Sequence, residues 1–170
     1  MKEQPISIRL LTKADFNVIE AAFKKQGWHK PASQFEQYAL EQDNGERVVL
    51  VAEYVNKFAG YVTIKWQSTY PPFLEKGIPE IVDLNVLIHN QNKGIATKLM
   101  DEAERIVAAT HPIIGIGFGL MEDYGAAQRL YISRGYLPDG RGISQNGKQI
   151  KRGEQVQVND DLALYLTKAL

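Results

Sequence analysis

The chain has 170 residues, enough for one domain with a real core, and its 20 Lys plus Arg against 20 Asp plus Glu leave a formal net charge of zero. That balance removes the electrostatic case for nucleic acid, which calls for a clustered basic excess. Cysteine is absent, which excludes disulfides, thiolate nucleophiles and cysteine zinc sites, and the three histidines, His29, His89 and His111, show no metal-ligand spacing.

Met1–Pro5 lacks the apolar stretch of a signal peptide. No apolar run approaches the roughly 20 residues that cross a bilayer. The expectation is a cytoplasmic protein with no metal and with neither a membrane nor a nucleic-acid partner.

In chain order, Ile6–Leu11 alternates as a strand, and Thr12-Lys13-Ala14-Asp15 is a capping pattern that opens a helix to about Lys25. Gln26–Pro31 breaks the chain, a second helix runs from Ala32 to about Glu41, and Asp43–Glu46 is a turn. Arg47–Tyr54 and Phe58–Trp66 read as a hairpin around Val55-Asn56-Lys57, followed by an irregular connection through Tyr70–Pro79. A strand over Ile81–Ile88 leads to a helix over Gly94–Ala109, with Ile95, Leu99, Ala103 and Ile106 as its buried stripe. A strand over Ile113–Leu120 precedes a short helix, Gly125–Arg134, that Gly135 ends as the residue after the cap. The polar stretch Arg141–Arg152 reads as a solvated hairpin in preference to a lid, and a final strand spans Leu162–Thr167. This order predicts a single α/β domain of α+β type over residues 1–170: a mixed, mostly antiparallel sheet with helices on both faces.

The stretch Val86–Met100 carries the most information. It runs from a strand through a loop, Gln91-Asn92-Lys93-Gly94-Ile95-Ala96-Thr97, into an amphipathic helix. Bared N–H groups at a helix start attract anions, above all phosphate, and glycine lets a ligand approach the backbone. A helix start normally favours acids, yet this one has Lys93 before it and Lys98 just inside, with Asp101, Glu102 and Glu104 later. The local chemistry admits two readings: a bound polyanion that supplies the missing charge, or an ordinary strand-to-helix turn with solvated lysines. Gly115-Ile116-Gly117-Phe118-Gly119 lacks the spacing of a dinucleotide fingerprint and sits inside a strand, so it is set aside.

Gln91-x-x-Gly94-x-Ala96 after a strand, then Ala127-x-x-Leu130-Tyr131-x-x-x-Gly135-Tyr136 about one βα unit later, resembles the GNAT superfamily of N-acetyltransferases. The resemblance implies a GNAT-like fold with a splayed pair of parallel strands. It implies acetyl-CoA as cosubstrate, with its pyrophosphate on the amides from Gln91 to Thr97 and its pantetheine arm paired with Val86, Leu87 and Ile88. Tyr131 matches the tyrosine that protonates the leaving thiolate, against a plain packing role at the helix end. Tyr124 stands where many members carry Asn, so the arm contact there falls to a phenol.

The attacking amine must lose a proton first, since a primary amine has a pKa near ~10. Asp83 shares a strand face with Asn85, opposite Val82, Leu84, Val86 and Ile88, and is a candidate base or acceptor-orienting group, or else a solvated residue on an open face. Glu80, Glu122 and Asp123 are weaker candidates. For the acceptor, the resemblance points to Trp28 and His29 in the first interhelical loop and to Tyr70 in the connection before the Ile81 strand; these aromatics wall a cleft or pack on the core. The sequence thus reads as an N-acetyltransferase that moves an acetyl group to a primary amine of a small molecule or peptide by direct attack. The alternative is a catalytically silent acyl-CoA-binding module on the same fold. A homodimer through a free sheet edge is compatible with either.

Overall fold

Thr12 and Asp15 open the first helix as their spacing predicts. In a computed structural model that describes residues 6–170, the Thr12 backbone N–H and hydroxyl both donate to Asp15 Oδ2, at 2.8 and 2.9 Å. Arg9 donates to both oxygens of the same carboxylate, at 2.8 and 2.7 Å. Burial alone would push the Asp15 carboxyl up, but the Arg9 and Thr12 hydrogen bonds hold it below the usual carboxylate range. A folded-state value below the unfolded one, about 3.9, means that this stabilisation is present above about pH 4 and is lost as pH falls through the folded value. Asp15→Asn is therefore expected to cost about 2 kcal/mol at pH 7 and distinctly less at pH 3, read by denaturant unfolding at the two pH values. The signal-peptide reading of Met1–Pro5 lies outside the described residues.

The described chain divides into two compact units: residues through Lys65 together with Val82–Ile106, and Trp66–Ile81 together with Val107–Leu170. In the first, β1 (Ile6–Leu10) pairs antiparallel with β2 (Arg47–Tyr54), and β2 with β3 (Lys57–Lys65). The β2–β3 turn places Val55 and Asn56 at φ of 53 and 58°, the geometry of a two-residue hairpin. β4 (Glu80–Val86) lies next to β3. Helices α1 (Phe16–Lys25) and α2 (Ala32–Asp43) cover the sheet through a core of Leu11, Ile19, Phe23, Phe35, Val49, Val51, Tyr61 and Leu87. After α3 (Pro71–Lys76), the longest helix, α4 (Ile95–Ala108), buries Ile95, Leu99, Met100, Ala103 and Val107. Ile106, predicted for that stripe, is only half-buried, because the buried row advances by four residues from Ile95 to Val107.

In the second unit, Glu80 and Ile81 of β4 pair in parallel with Gly115 and Ile116 of β5 (Ile113–Gly119). The remaining partners are antiparallel: β8 (Leu162–Ala169) lies between β5 and β6 (Leu137–Gln145), and β6 carries the short β7 (Lys148–Gln149). The mixed α/β sheet is the one the sequence predicts. The parallel ladder covers two residue pairs only, and two residues after it Asp83 sits at φ 60°, a left-handed conformation that Asp tolerates better than most residues. Helix α5 (Gly125–Ser133) ends before Gly135 at φ 88°, as predicted.

Three segments depart from the sequence expectation. The connection over Tyr70–Pro79 holds α3, whose prolines fill the first helical positions, where a missing N–H costs nothing. β4 stops at Val86, and Leu87 leads into a 3₁₀ turn over Ile88–Asn90, leaving Ile88 half exposed and off the strand face assigned to it. The glycines of β5 have a packing reason: a Cβ at Gly115, Gly117 or Gly119 would lie 2.2, 2.8 or 2.5 Å from the ring of Phe73, Tyr165 or Tyr124 respectively. Alternate residues of a strand share one face, so this pattern is a row of seats for aromatic rings.

Candidate active site

The first unit carries the loop between β4 and α4. Gln91–Gly94 are exposed, Gly94 has φ 81°, and open space lies where its Cβ would stand. The first helical bond runs from Lys98 N–H to the Gly94 carbonyl at 3.0 Å, so the amides of Ile95, Ala96 and Thr97 have no partner within the helix. No acidic residue occupies the first turn. Such a start suits an anion by both its amides and its dipole. Lys93 behaves otherwise than its charge suggests. Its Nζ folds back to the His89 carbonyl (2.9 Å) and Asn90 Oδ1 (3.2 Å) and lies 4.7 Å from the Tyr54 ring centroid. That ammonium clamps its own loop, although Lys93 is as exposed a residue as Lys98.

The strand end assigned to a pantetheine arm is partly committed. Leu87 N–H donates to the Ala59 carbonyl at 2.9 Å and Ile88 N–H to Gln26 Oε1 at 3.0 Å. Gln26 Nε2 is buried with no partner, a donor left over at the same place.

The second unit carries Tyr131 on α5, only 6 % exposed, with ring centroids of Phe118 at 6.4 Å and Tyr136 at 6.1 Å. Burial first and the neighbouring Tyr124 second push its phenol well above the usual value. Tyr124 lies with its ring against Gly119, and its hydroxyl donates to Asp160 Oδ1 at 3.1 Å. Its expected donation to a cofactor arm therefore competes with a bond inside the chain. Gln128 Nε2 reaches the Gly119 carbonyl at 2.9 Å and ties α5 to the end of β5.

Asp83 is the centre of a polar cluster that the sequence did not foreshadow. Its Oδ1 accepts from Lys30 Nζ and Asn85 Nδ2, both at 2.7 Å; its Oδ2 accepts from Tyr61 (2.7 Å), Gln34 (2.9 Å) and Tyr38 (3.0 Å). A carboxylate has about four lone-pair positions, so five donors leave no place for an incoming proton. That is the wrong arrangement for the base and a suitable one for an orienting group. Burial first, then the Asp83 charge, pushes the Tyr38 phenol up to about 12 and the Tyr61 phenol further. Arg47 stacks 4.2 Å from the Tyr38 ring and donates to Thr63 and Glu41, which fixes the phenol from behind. Of the weaker candidates, Glu80 is buried and accepts the Ser68 hydroxyl, while Glu122 and Asp123 are exposed in a 3₁₀ turn.

The acceptor residues divide. Trp28 and His29 are exposed and line an open pocket of about 390 Å³ with Glu20, Lys24, Lys30 and Pro31. Tyr70 walls no cleft: it is 3 % exposed, stacked 3.7 Å on Tyr165, and its hydroxyl donates to Asp139 at 2.8 Å. The prolines that follow it start α3 and turn its ring inward onto Phe73.

Comparison with known proteins now bears on this geometry. The sequence matches the family model described as the acetyltransferase (GNAT) family over residues 14–136, a span that runs through both units. The chain belongs to that family of acyltransferases. Comparison with curated proteins gives no match. Among solved structures, an N-acetyltransferase from Staphylococcus aureus Mu50 superposes with a TM-score of 0.69 at 16 % identity, over 97 % of this chain and 98 % of that one. A PaiA N-acetyltransferase from Thermoplasma acidophilum, in complex with coenzyme A, gives 0.68 at 12 % identity over 98 and 99 %. A ribosomal-protein-alanine N-acetyltransferase from Brucella melitensis gives 0.68 at 19 % over 96 and 99 %. At such identities these likenesses speak for the fold. Among the described residues no helix is long and apolar enough to cross a membrane.

Proposed function

We propose that residues 1–170 act as one acetyltransferase domain that moves an acetyl group from acetyl-CoA to a primary amine by direct attack, with both substrates bound together. The observation that carries this reading is the acid-free helix start at Gly94–Thr97, where Gly94 and Thr97 are exposed and the amides of Ile95, Ala96 and Thr97 are unpartnered by the helix. The amides of Asn92–Thr97 would hold the diphosphate, the Gln91 N–H being already given to the Ile88 carbonyl at 3.2 Å, and the complex of the Thermoplasma relative with coenzyme A supports that ligand on this fold. Acetyl-CoA supplies an acyl carbon already activated as a thioester.

Tyr131 holds the proton that the leaving sulfur takes. Its raised phenol pKa keeps it a donor at pH values where an ordinary tyrosine ionises. Asp83 orients the acceptor, and water takes the amine's proton, a division supported by the five donors already on that carboxylate. Trp28 and His29 flank the acceptor's entry, supported by their exposure around the open pocket. The chain lacks cysteine, which favours direct attack over an acyl-enzyme.

Thr97→Asp tests the carrier site. Thr97 is exposed in the first turn, where an acid normally favours the helix, so the variant should fold at least as well as the wild type. It should nevertheless bind CoA about tenfold more weakly by calorimetry, because a carboxylate then faces the diphosphate. Unchanged affinity would place the carrier elsewhere, and thiol release against a panel of amines tests catalysis separately.

A further inference from the structure

Four of the five donors around Asp83 sit on regular elements: Gln34 and Tyr38 on α2, Tyr61 on β3 and Asn85 on β4. Lys30 alone comes from a connection, the segment between α1 and α2 that also carries Trp28 and His29. Its ammonium makes one 2.7 Å bond to Asp83 Oδ1 and lies 5.8 Å from the Tyr61 ring centroid. The pair is not sealed: the side chains of Lys30 and Asp83 are 21 and 14 % exposed. The open pocket lined by Trp28, His29 and Lys30 adjoins the same connection.

A carboxylate beside an aromatic face is the surrounding that a primary ammonium selects, through charge-assisted hydrogen bonding and cation–π attraction. Lysine's own head group is such an ammonium. We propose that the Asp83 cluster is a recognition site for a primary ammonium group, and that Lys30 fills it as an internal surrogate which the acceptor displaces. The proposal rests on the amine-acceptor reading above and deepens it. The covered lone pairs of Asp83 keep the bound group charged. The site therefore anchors a cation and does not activate the attacking nitrogen, which suits an acceptor carrying a cation apart from its nucleophile. The arrangement also sets a cost on weak ligands, since an acceptor binds only to the fraction of molecules in which Lys30 has swung away.

The test is Lys30→Met, which keeps the stem and removes the charge. Butylammonium chloride is titrated into wild type and variant by calorimetry, with butanol as the neutral control. The variant should bind butylammonium about tenfold or more tightly than the wild type, with no gain for butanol. Equal affinities overturn the proposal. If the variant does not fold, the wild type decides alone. Brief acetic anhydride labelling, read by mass spectrometry as the ratio of Lys30 to Lys24, should rise at least about threefold with saturating butylammonium if the surrogate is displaced. An unchanged ratio overturns it. CoA is titrated into the same wild-type protein: intact CoA binding without an ammonium effect sinks this site alone, whereas an ammonium effect without CoA binding sinks the acyl-carrier reading instead.

Discussion

Tyr131→Phe is expected to lower kcat about 100-fold or more while leaving CoA affinity within about twofold. The substitution removes one oxygen and keeps the ring that packs between Phe118 and Tyr136, so the melting temperature should barely move. A fall in kcat without a change in binding is the signature of a group needed in the transition state alone, which proton donation to a departing thiolate requires. The pH profile adds a second readout. Because burial and then Tyr124 raise the Tyr131 phenol, it stays protonated past about pH 10, where an ordinary tyrosine ionises. The wild-type rate should therefore climb through pH 9–10 as the acceptor amine sheds its proton, with no falling limb from this phenol. Steady-state thiol release across pH, with calorimetry for CoA, checks both. A variant retaining a third or more of wild-type kcat would assign Tyr131 to packing.

What the sequence discloses follows from how local each cause is. The Thr12–Asp15 cap, the glycine at the α4 start and the glycine after α5 depend on residues three or four apart or on a single backbone angle, and all three are legible in the chain. The environment of Asp83 is not local. Its phenols arrive from 45 and 22 residues away, and its ammonium from 53. One signal was present: Gln34 and Tyr38 stand four apart on α2, so the helical period alone puts two polar groups on one face. The glycine row of β5 is a second case, where the period-two spacing was visible but the rings that require it come from α3, β8 and the turn before α5. For Tyr70 the sequence leaves cleft wall and core packing open, because a proline pair reads as irregular chain, whereas here it starts a helix and carries the tyrosine inward. The direction of Lys93 is not legible in the sequence, because charge says nothing of direction, and a loop carbonyl, a side-chain amide and a tyrosine ring hold its ammonium back.

Asp83→Ala should be strongly damaging to the first unit, costing on the order of 3 kcal/mol, against roughly half that for Asp83→Asn. Alanine leaves the Lys30 ammonium, two phenols and two amides facing a void. It also loses the tolerance of a left-handed backbone that the φ of 60° demands, a conformation costing about 1 kcal/mol for ordinary L residues. Asparagine keeps that tolerance and one acceptor oxygen, so with its amide nitrogen in the Oδ1 place its loss is smaller and falls on the Lys30 and Asn85 contacts. The phenols report the difference without reference to stability. Burial, the larger cause of the Tyr38 shift to about 12, persists in Asp83→Asn, while the second cause, the Asp83 charge, disappears. Tyr38 should then ionise at lower pH than in the wild type yet still above an ordinary tyrosine, as a difference in ultraviolet absorbance during alkaline titration. Were the two titrations to coincide, the carboxylate would not face these phenols, and an orienting role for Asp83 would fall with it.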